Sequence, residues 1–201
     1  MKVQSKPTLV LASTSKYRAE ILAKLRLDFI QIASNIDERL IELEAPSSRA
    51  LRLSAEKATS VNLLLSEDQR PALIIGSDQV AHIDGTILRK PGSFDIAFQQ
   101  LKASSGKSVK FETAVSIFST ENQQTQSVLE VCTVNFKNLS DSQIENYLHK
   151  EQPFDCCGSF KSEGLGIALF ESIEITDPNT LVGLPLITLC KLLSQYGIEI
   201  I

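Results

Sequence analysis

A few residues in this chain have types and spacings that suit work on a phosphorylated anion. Leu9 to Ala12 is an apolar run of strand length that breaks into Ser13-Thr14-Ser15, with Lys16, Tyr17 and Arg18 where a helix would begin. The first turn of a helix presents unpaired N–H groups and the positive end of the peptide dipole, so hydroxyls and a guanidinium there favour a phosphate. A second apolar run, Ala72-Leu73-Ile74-Ile75, ends in Gly76-Ser77-Asp78-Gln79 and delivers an isolated acid, Asp78, to what reads as a strand's C-terminal end. Ligands collect at that edge in α/β proteins. An acid beside an anion site serves as a general base, a metal ligand, or both.

Singly, each of these residues has a plainer use. Ser13 and Ser15 would cap a helix, Asp78 would suit a turn, and Arg18, Lys57 and Lys90 would be solvated charges. Glu38 would pair with a surface cation, Tyr17 would pack on a neighbouring helix, and Glu163 would cap a loop.

The elements that must position these residues read as mixed α/β. Arg18, Ile21, Leu22 and Leu25 recur at helical spacing, and Phe29 to Ala33 reads as a strand. Pro46-Ser47 opens a helix whose buried stripe is expected at Leu51, Ala55, Ala58, Val61 and Leu65, with Lys57 beside it. Asp84-Gly85 marks a tight hairpin into the strand Thr86–Leu88. Ser93 caps a helix with Phe94, Ala97, Phe98 and Leu101 inward and Gly106 as its stop. Alternation from Val109 to Ile117 predicts a half-buried strand, and Val128 to Phe136 returns beside it. Ser140 and Gln143 form a capping box for a helix over Ile144–His149. Leu165, Ile167 and Leu169 suggest a further strand, and Pro185 opens a helix over Leu186–Leu193.

Bulk properties narrow the function. The 201 residues suit one domain, and the net charge of −4 disfavours direct nucleic-acid binding, which needs a basic stripe. No apolar run is long enough for a membrane span. The run after Lys2 and Lys6 is too short for a signal-peptide core, so the cytoplasm is the expected location. Cys132, Cys156, Cys157 and Cys190 lack zinc spacing and read as reduced thiols, mostly in the core. With His82 and His149 as the whole histidine complement, any metal should be hard and oxygen-bound, magnesium or manganese. Gly106-Lys107-Ser108 imitates a P-loop ending, but its helix-then-strand order is the reverse of a phosphate cradle.

Taken in order, the motifs resemble those of the Maf family of nucleotide pyrophosphatases, nearly from end to end. Ser13, Ser15 and Arg18 match an opening Ser-x-Ser-x-x-Arg, and Asp37-Glu38 matches an acidic pair. Glu56-Lys57-Ala58, Gly76-Ser77-Asp78, Lys90-Pro91 and Val182-Gly183-Leu184-Pro185 match later segments. The resemblance implies an ITPase-like α/β fold, a mixed curved sheet with flanking helices and two lobes around a cleft, with residues 1–201 as a single domain. It implies cleavage of a nucleoside triphosphate to the monophosphate and pyrophosphate. Asp78 would be the general base, with Ser13, Ser15, Arg18, Lys57 and Lys90 on the phosphates. Glu38 and Asp78 would hold the divalent metal, since a carboxylate alone is a weak base near neutrality. A homodimer would be compatible with it.

Family members acting on dTTP and UTP carry arginine, threonine and glutamine where this sequence has Tyr17, Gln79 and Glu163. That coordinated departure resembles the 7-methyl-GTP branch. N7-methylguanine is cationic, which favours an aromatic face such as Tyr17 and a carboxylate such as Glu163 over a guanidinium. Tyr17, Gln79 and Glu163 are therefore expected to set base choice. The alternatives are a pyrophosphatase for dTTP, UTP or another modified nucleotide, a nucleotidyltransferase, and a non-catalytic nucleotide-binding regulator of cell division.

Overall fold

The computed structural model describes residues 6–201; Lys2, part of the leader reading, lies outside the described residues. One seven-stranded sheet organises the chain, in the order β2-β1-β3-β5-β6-β7, with β4 paired to β3. Strands β1 (Thr8–Leu11), β2 (Ile30–Gln31) and the first part of β3 (Ala72–Ile83) are parallel. The rest of β3 with β4 (Thr86–Leu88), β5 (Ser108–Ser119), β6 (Gln124–Phe136) and β7 (Phe170–Glu174) is antiparallel.

Helix α1 (Lys16–Ala23) and α5 (Leu186–Gln195) cover one face of the parallel part, where Leu11, Leu22, Ile75, Ile117 and Leu189 are buried together. On the other face α2 (Pro46–Val61) packs Ala58 and Val61 against Val10 and Ile74. Around the antiparallel end, α3 (Phe94–Ser104) and α4 (Asp141–Glu151) share a second core built on edge-to-face contacts among Phe111, Phe136, Phe160 and Phe170. The long strands β3 and β5 run through both lobes. The mixed sheet, flanking helices and two-lobed arrangement agree with the expected fold. Among the described residues no helix is long and apolar enough to cross a membrane.

Local signals held where short-range chemistry decides. The hairpin at Asp84-Gly85, the Ser93 cap, the capping box of Ser140 with Gln143 and the left-handed Gly106 after α3 are all present.

Five expectations are corrected. Asp78 is not at a strand end: β3 continues through it, paired Asp78↔Ala114 with β5. The strand that does end is its neighbour β1, whose last pair is Leu11↔Ile75, so the sheet opens beside Asp78. The buried face of α2 is Ala50, Leu53, Ser54, Lys57, Ala58 and Val61, so Lys57 lies within the stripe and Leu65 lies beyond the helix. Leu165–Leu169 is a 3-10 turn, with the strand beginning only at Phe170. A Cβ on Gly166 would lie 2.3 Å from the Lys161 carbonyl oxygen, so this turn folds tightly on itself and not into the sheet. Of the four free cysteines only Cys132 is fully buried, and the strand expected over Phe29–Ala33 is reduced to Ile30–Gln31.

Candidate active site

Where β1 ends, the chain turns through Ser13-Thr14-Ser15 into α1, and its side chains lock the turn. Ser15 Oγ accepts the Arg18 backbone N–H at 3.4 Å as the helix N-cap, and Ser13 Oγ accepts the Ser15 N–H at 3.2 Å. The Arg18 side chain is aimed from two sides. Its Nε donates to the Gly183 carbonyl at 2.9 Å and its NH1 donates to Ser13 Oγ at 3.5 Å. Gly183 sits at φ +115°, a left-handed conformation that glycine adopts without strain. Its carbonyl also accepts from Ser77 Oγ at 2.9 Å, which ties the Arg18 anchor to β3 one residue before Asp78. The turn bearing Gly183 is held by buried Asp177, whose carboxylate accepts from the N–H groups of Asn179 and Ile187.

The central feature is a triad of charges. Lys57 Nζ donates to Asp78 Oδ1 at 2.7 Å and lies 2.8 Å from Glu38 Oε1. The Lys57 and Asp78 side chains are 8% and 9% exposed, whereas Glu38 is 54% exposed, so the pair is fixed and the third member faces the opening. Burial raises the Glu38 carboxyl. The Lys57 hydrogen bond and the charges of Lys57, Arg18 and Lys90 more than offset this and hold it below the usual carboxylate value. Gly76 makes this geometry possible. A Cβ there would lie 2.1 Å from the Ser54 carbonyl oxygen and 2.8 Å from the Ala58 nitrogen, so α2 reaches β3 this closely only over glycine.

At the other end stand Tyr17 and the segment from Asp155 to Glu163. Burial, with the charges of Cys156, Asp155 and Glu163, pushes the Tyr17 phenol up to about 12, so it stays neutral. Helix α4 pins the Glu163 segment: Tyr147 Oη accepts from the Lys161 N–H at 3.1 Å and Glu151 Oε2 from the Leu165 N–H at 2.8 Å. Gln79 lines the same space, but its Nε2 donates to Thr113 Oγ1, the Thr180 carbonyl and the Leu181 carbonyl at 3.0–3.1 Å. Its amide hydrogens hold the 180–181 backbone against the sheet, leaving Oε1 to meet a ligand.

These groups line one cavity of about 900 Å³. Ser13, Ser15, Arg18, Lys57 and Lys90 bring hydroxyls and cations to it, Glu38 and Asp78 bring carboxylates, and Tyr17, Gln79 and Glu163 complete the wall. These ten candidate site residues are thus brought together, whereas Asp37 of the acidic pair is not in the lining. The sequence reading missed Asp155 and Cys156 beside Tyr17, and the Gly183 carbonyl that aims Arg18. The Asp-Cys-Cys-Gly stretch carried no distinctive spacing, and a backbone acceptor leaves no trace in residue type.

The donor set suits a hard dication. Glu38 and Asp78 converge on one ammonium, and each leaves its second oxygen without a hydrogen bond to a described residue. Among the described residues no three acidic, histidine or cysteine side chains form a metal-binding group. Two carboxylates would therefore leave the remaining positions to phosphate oxygens and water, as magnesium commonly accepts.

Comparison with known proteins is consistent over nearly the full length. The family described as Maf-like protein matches residues 8–196. The chain is 48% identical over 193 residues to the 7-methyl-GTP pyrophosphatase of Vibrio vulnificus, covering 96% of this chain and 97% of that protein. It is 49% identical over 194 residues to the protein of the same name from Colwellia psychrerythraea, covering 96% and 95%. With that of Aliivibrio fischeri it shares 47% identity over 199 residues, covering 99% and 100%. Among solved structures, that of the Staphylococcus aureus Ham1 protein is similar at a TM-score of 0.42 and 13% identity, covering 65% of this chain and 72% of that one.

Proposed function

The chain belongs to the Maf family, and on that premise we propose that it hydrolyses 7-methyl-GTP to 7-methyl-GMP and pyrophosphate, clearing a modified nucleotide from the cytoplasmic pool. The polarity of the cavity carries this reading. Arg18, Lys57 and Lys90 stand with Asp78 and Glu38, and Tyr17 stands with the carboxylates of Asp155 and Glu163. Such a site suits a ligand with an anionic tail and a cationic head.

Each residue has a task. The triphosphate brings about four negative charges, which Arg18 meets with a planar fork and Lys90 with a point charge. Ser13, Ser15 and the N–H groups opening α1 receive phosphate oxygens. Asp78 takes a proton from a water whose oxygen joins the α phosphorus. The bond from that phosphorus to the bridging oxygen breaks, and pyrophosphate departs with the bonding pair. Lys57 orients Asp78 and keeps its carboxylate beside that of Glu38 without repulsion. Glu38 and Asp78 would hold magnesium or manganese, which supplies charge neutralisation and a more acidic water. At the head, the Tyr17 ring offers a face to the methylated base, and Glu163 accepts from its N1–H and exocyclic amine.

A panel of triphosphates tests this reading. With magnesium or manganese present, 7-methyl-GTP should be cleaved to the monophosphate and pyrophosphate well ahead of GTP, dTTP and UTP. Preference for dTTP or UTP, or release of orthophosphate, would overturn it.

A further inference from the structure

A second cavity, of about 470 Å³, shares Glu38, Asp78, Gln79, Lys90 and Cys157 with the first, so the two chambers meet at the wall that carries the central carboxylates. Beyond that wall its lining changes character and includes Arg39, Arg49 and Arg89. No residue of this chamber beyond the shared wall has a part in the reaction described above.

The charge balance of the main cavity gives these arginines a use. One ammonium, Lys57, faces two carboxylates at 2.7 and 2.8 Å, so the triad as a whole is anionic when all three are ionised. Arg18 and Lys90 then carry most of the burden of a triphosphate, and cleavage adds a further negative charge to the leaving half. Arg49 is committed to structure: it donates to the backbone carbonyls of Arg39 and Glu38 at 2.9 and 2.6 Å and lies 3.8 Å from Glu44. Its tethers fix the segment that carries Glu38 and Arg39. Among the described residues the side chain of Arg39 pairs only with exposed Asp37, at 4.0 Å. Arg89 forms no ion pair among the described residues, although its backbone carbonyl is anchored by Gln100 at 3.0 Å.

We propose that this second chamber is an anion subsite for the pyrophosphate half, with Arg39 and Arg89 as its binding residues and Lys90 at its junction with the main cavity. Arginine suits the task, because its fork meets two phosphate oxygens at once and remains charged throughout. The subsite rests on the reading of the chain as a triphosphate pyrophosphatase, not on which base it prefers.

Inorganic pyrophosphate is the probe. Its binding in magnesium-containing buffer is measured by calorimetry for the wild type and for the double variant Arg39→Gln/Arg89→Gln, beside the binding of 7-methyl-GMP. Both arginines are surface-accessible, and matched melting curves establish that the variant folds. The pyrophosphate Kd should weaken at least about tenfold, the loss of one charge-assisted contact, while 7-methyl-GMP binds as before. An unchanged pyrophosphate Kd, or an equal loss for both ligands, overturns the subsite. Failure of the wild type to cleave 7-methyl-GTP would count against the nucleotide assignment instead, since pyrophosphate binding is read without turnover.

Discussion

Lys57 Nζ lies 2.7 Å from Asp78 Oδ1, and this buried ion pair joins α2 to β3. The same ammonium reaches Glu38, so one cation holds two carboxylates side by side. A buried charge stripped of its partner is costly, and that sets the first expectation.

Lys57→Met should destabilise the fold by about 3–5 kcal/mol, because it leaves the buried Asp78 carboxyl without its cationic partner. Denaturant unfolding measures this. Adding Asp78→Asn to Lys57→Met should recover part of the loss, since the amide carries no charge to strand. Strict additivity of the two substitutions would mean that the pair is not coupled.

Gly76→Ala should displace α2 from the sheet, since the added methyl would sit 2.1 Å from the Ser54 carbonyl oxygen. The expected loss is about 1–3 kcal/mol or more, with turnover falling further than stability alone explains because Lys57 moves away from Asp78. Unfolding curves and kcat, measured on the folded fraction, separate the two effects.

The depressed Glu38 carboxyl predicts a pH dependence of definite sign. Burial raises it, but the Lys57 hydrogen bond and the charges of Lys57, Arg18 and Lys90 lower it by more, so it holds its proton less tightly folded than unfolded. Its contribution to stability is full above the ordinary carboxylate value and is lost as pH falls through the depressed one. Glu38→Gln should therefore be less stable than the wild type at neutral pH, and the gap should close below about pH 4. A gap that stays constant across that range would show that ionisation of Glu38 is not involved.

Base choice can be read independently of catalysis. Tyr17→Leu should reduce the ratio of kcat/KM for 7-methyl-GTP over GTP by about two- to thirtyfold, the range of a cation–π contact. Glu163→Gln should reduce the same ratio about tenfold or more, as it removes a charge-assisted acceptor. Equal losses on both nucleotides would assign these residues to packing.

What the sequence disclosed and what it hid have a common physical origin. Caps, the hairpin turn and the capping box depend on neighbours within four residues, and they were legible in Ser93, Asp84-Gly85 and Ser140 with Gln143. Apolarity alone misplaces the α2 stripe, because burial there also takes polar side chains. Its true face contains Ser54, bonded to Ser116 on β5, and Lys57, bonded to Asp78. Gly76-Ser77-Asp78 looked like a strand terminus, yet each is used within β3. The glycine admits α2, the serine hydroxyl donates to the Ala114 and Gly183 carbonyls, and the acid meets Lys57. The residues that share the cavity were legible as a set of types in order. Its tethers were not, because the Gly183 carbonyl and the grip of Gln79 on the 180–181 backbone arise only when distant segments meet.

The most direct measurement is made on Asp78→Asn, with nucleotide binding followed separately from turnover. The variant should still bind 7-methyl-GTP while its kcat falls about 10²–10⁴-fold, the usual worth of a positioned general base. Turnover close to that of the wild type, in a variant shown to be folded and saturated with nucleotide, would contradict the assignment of this aspartate as the base.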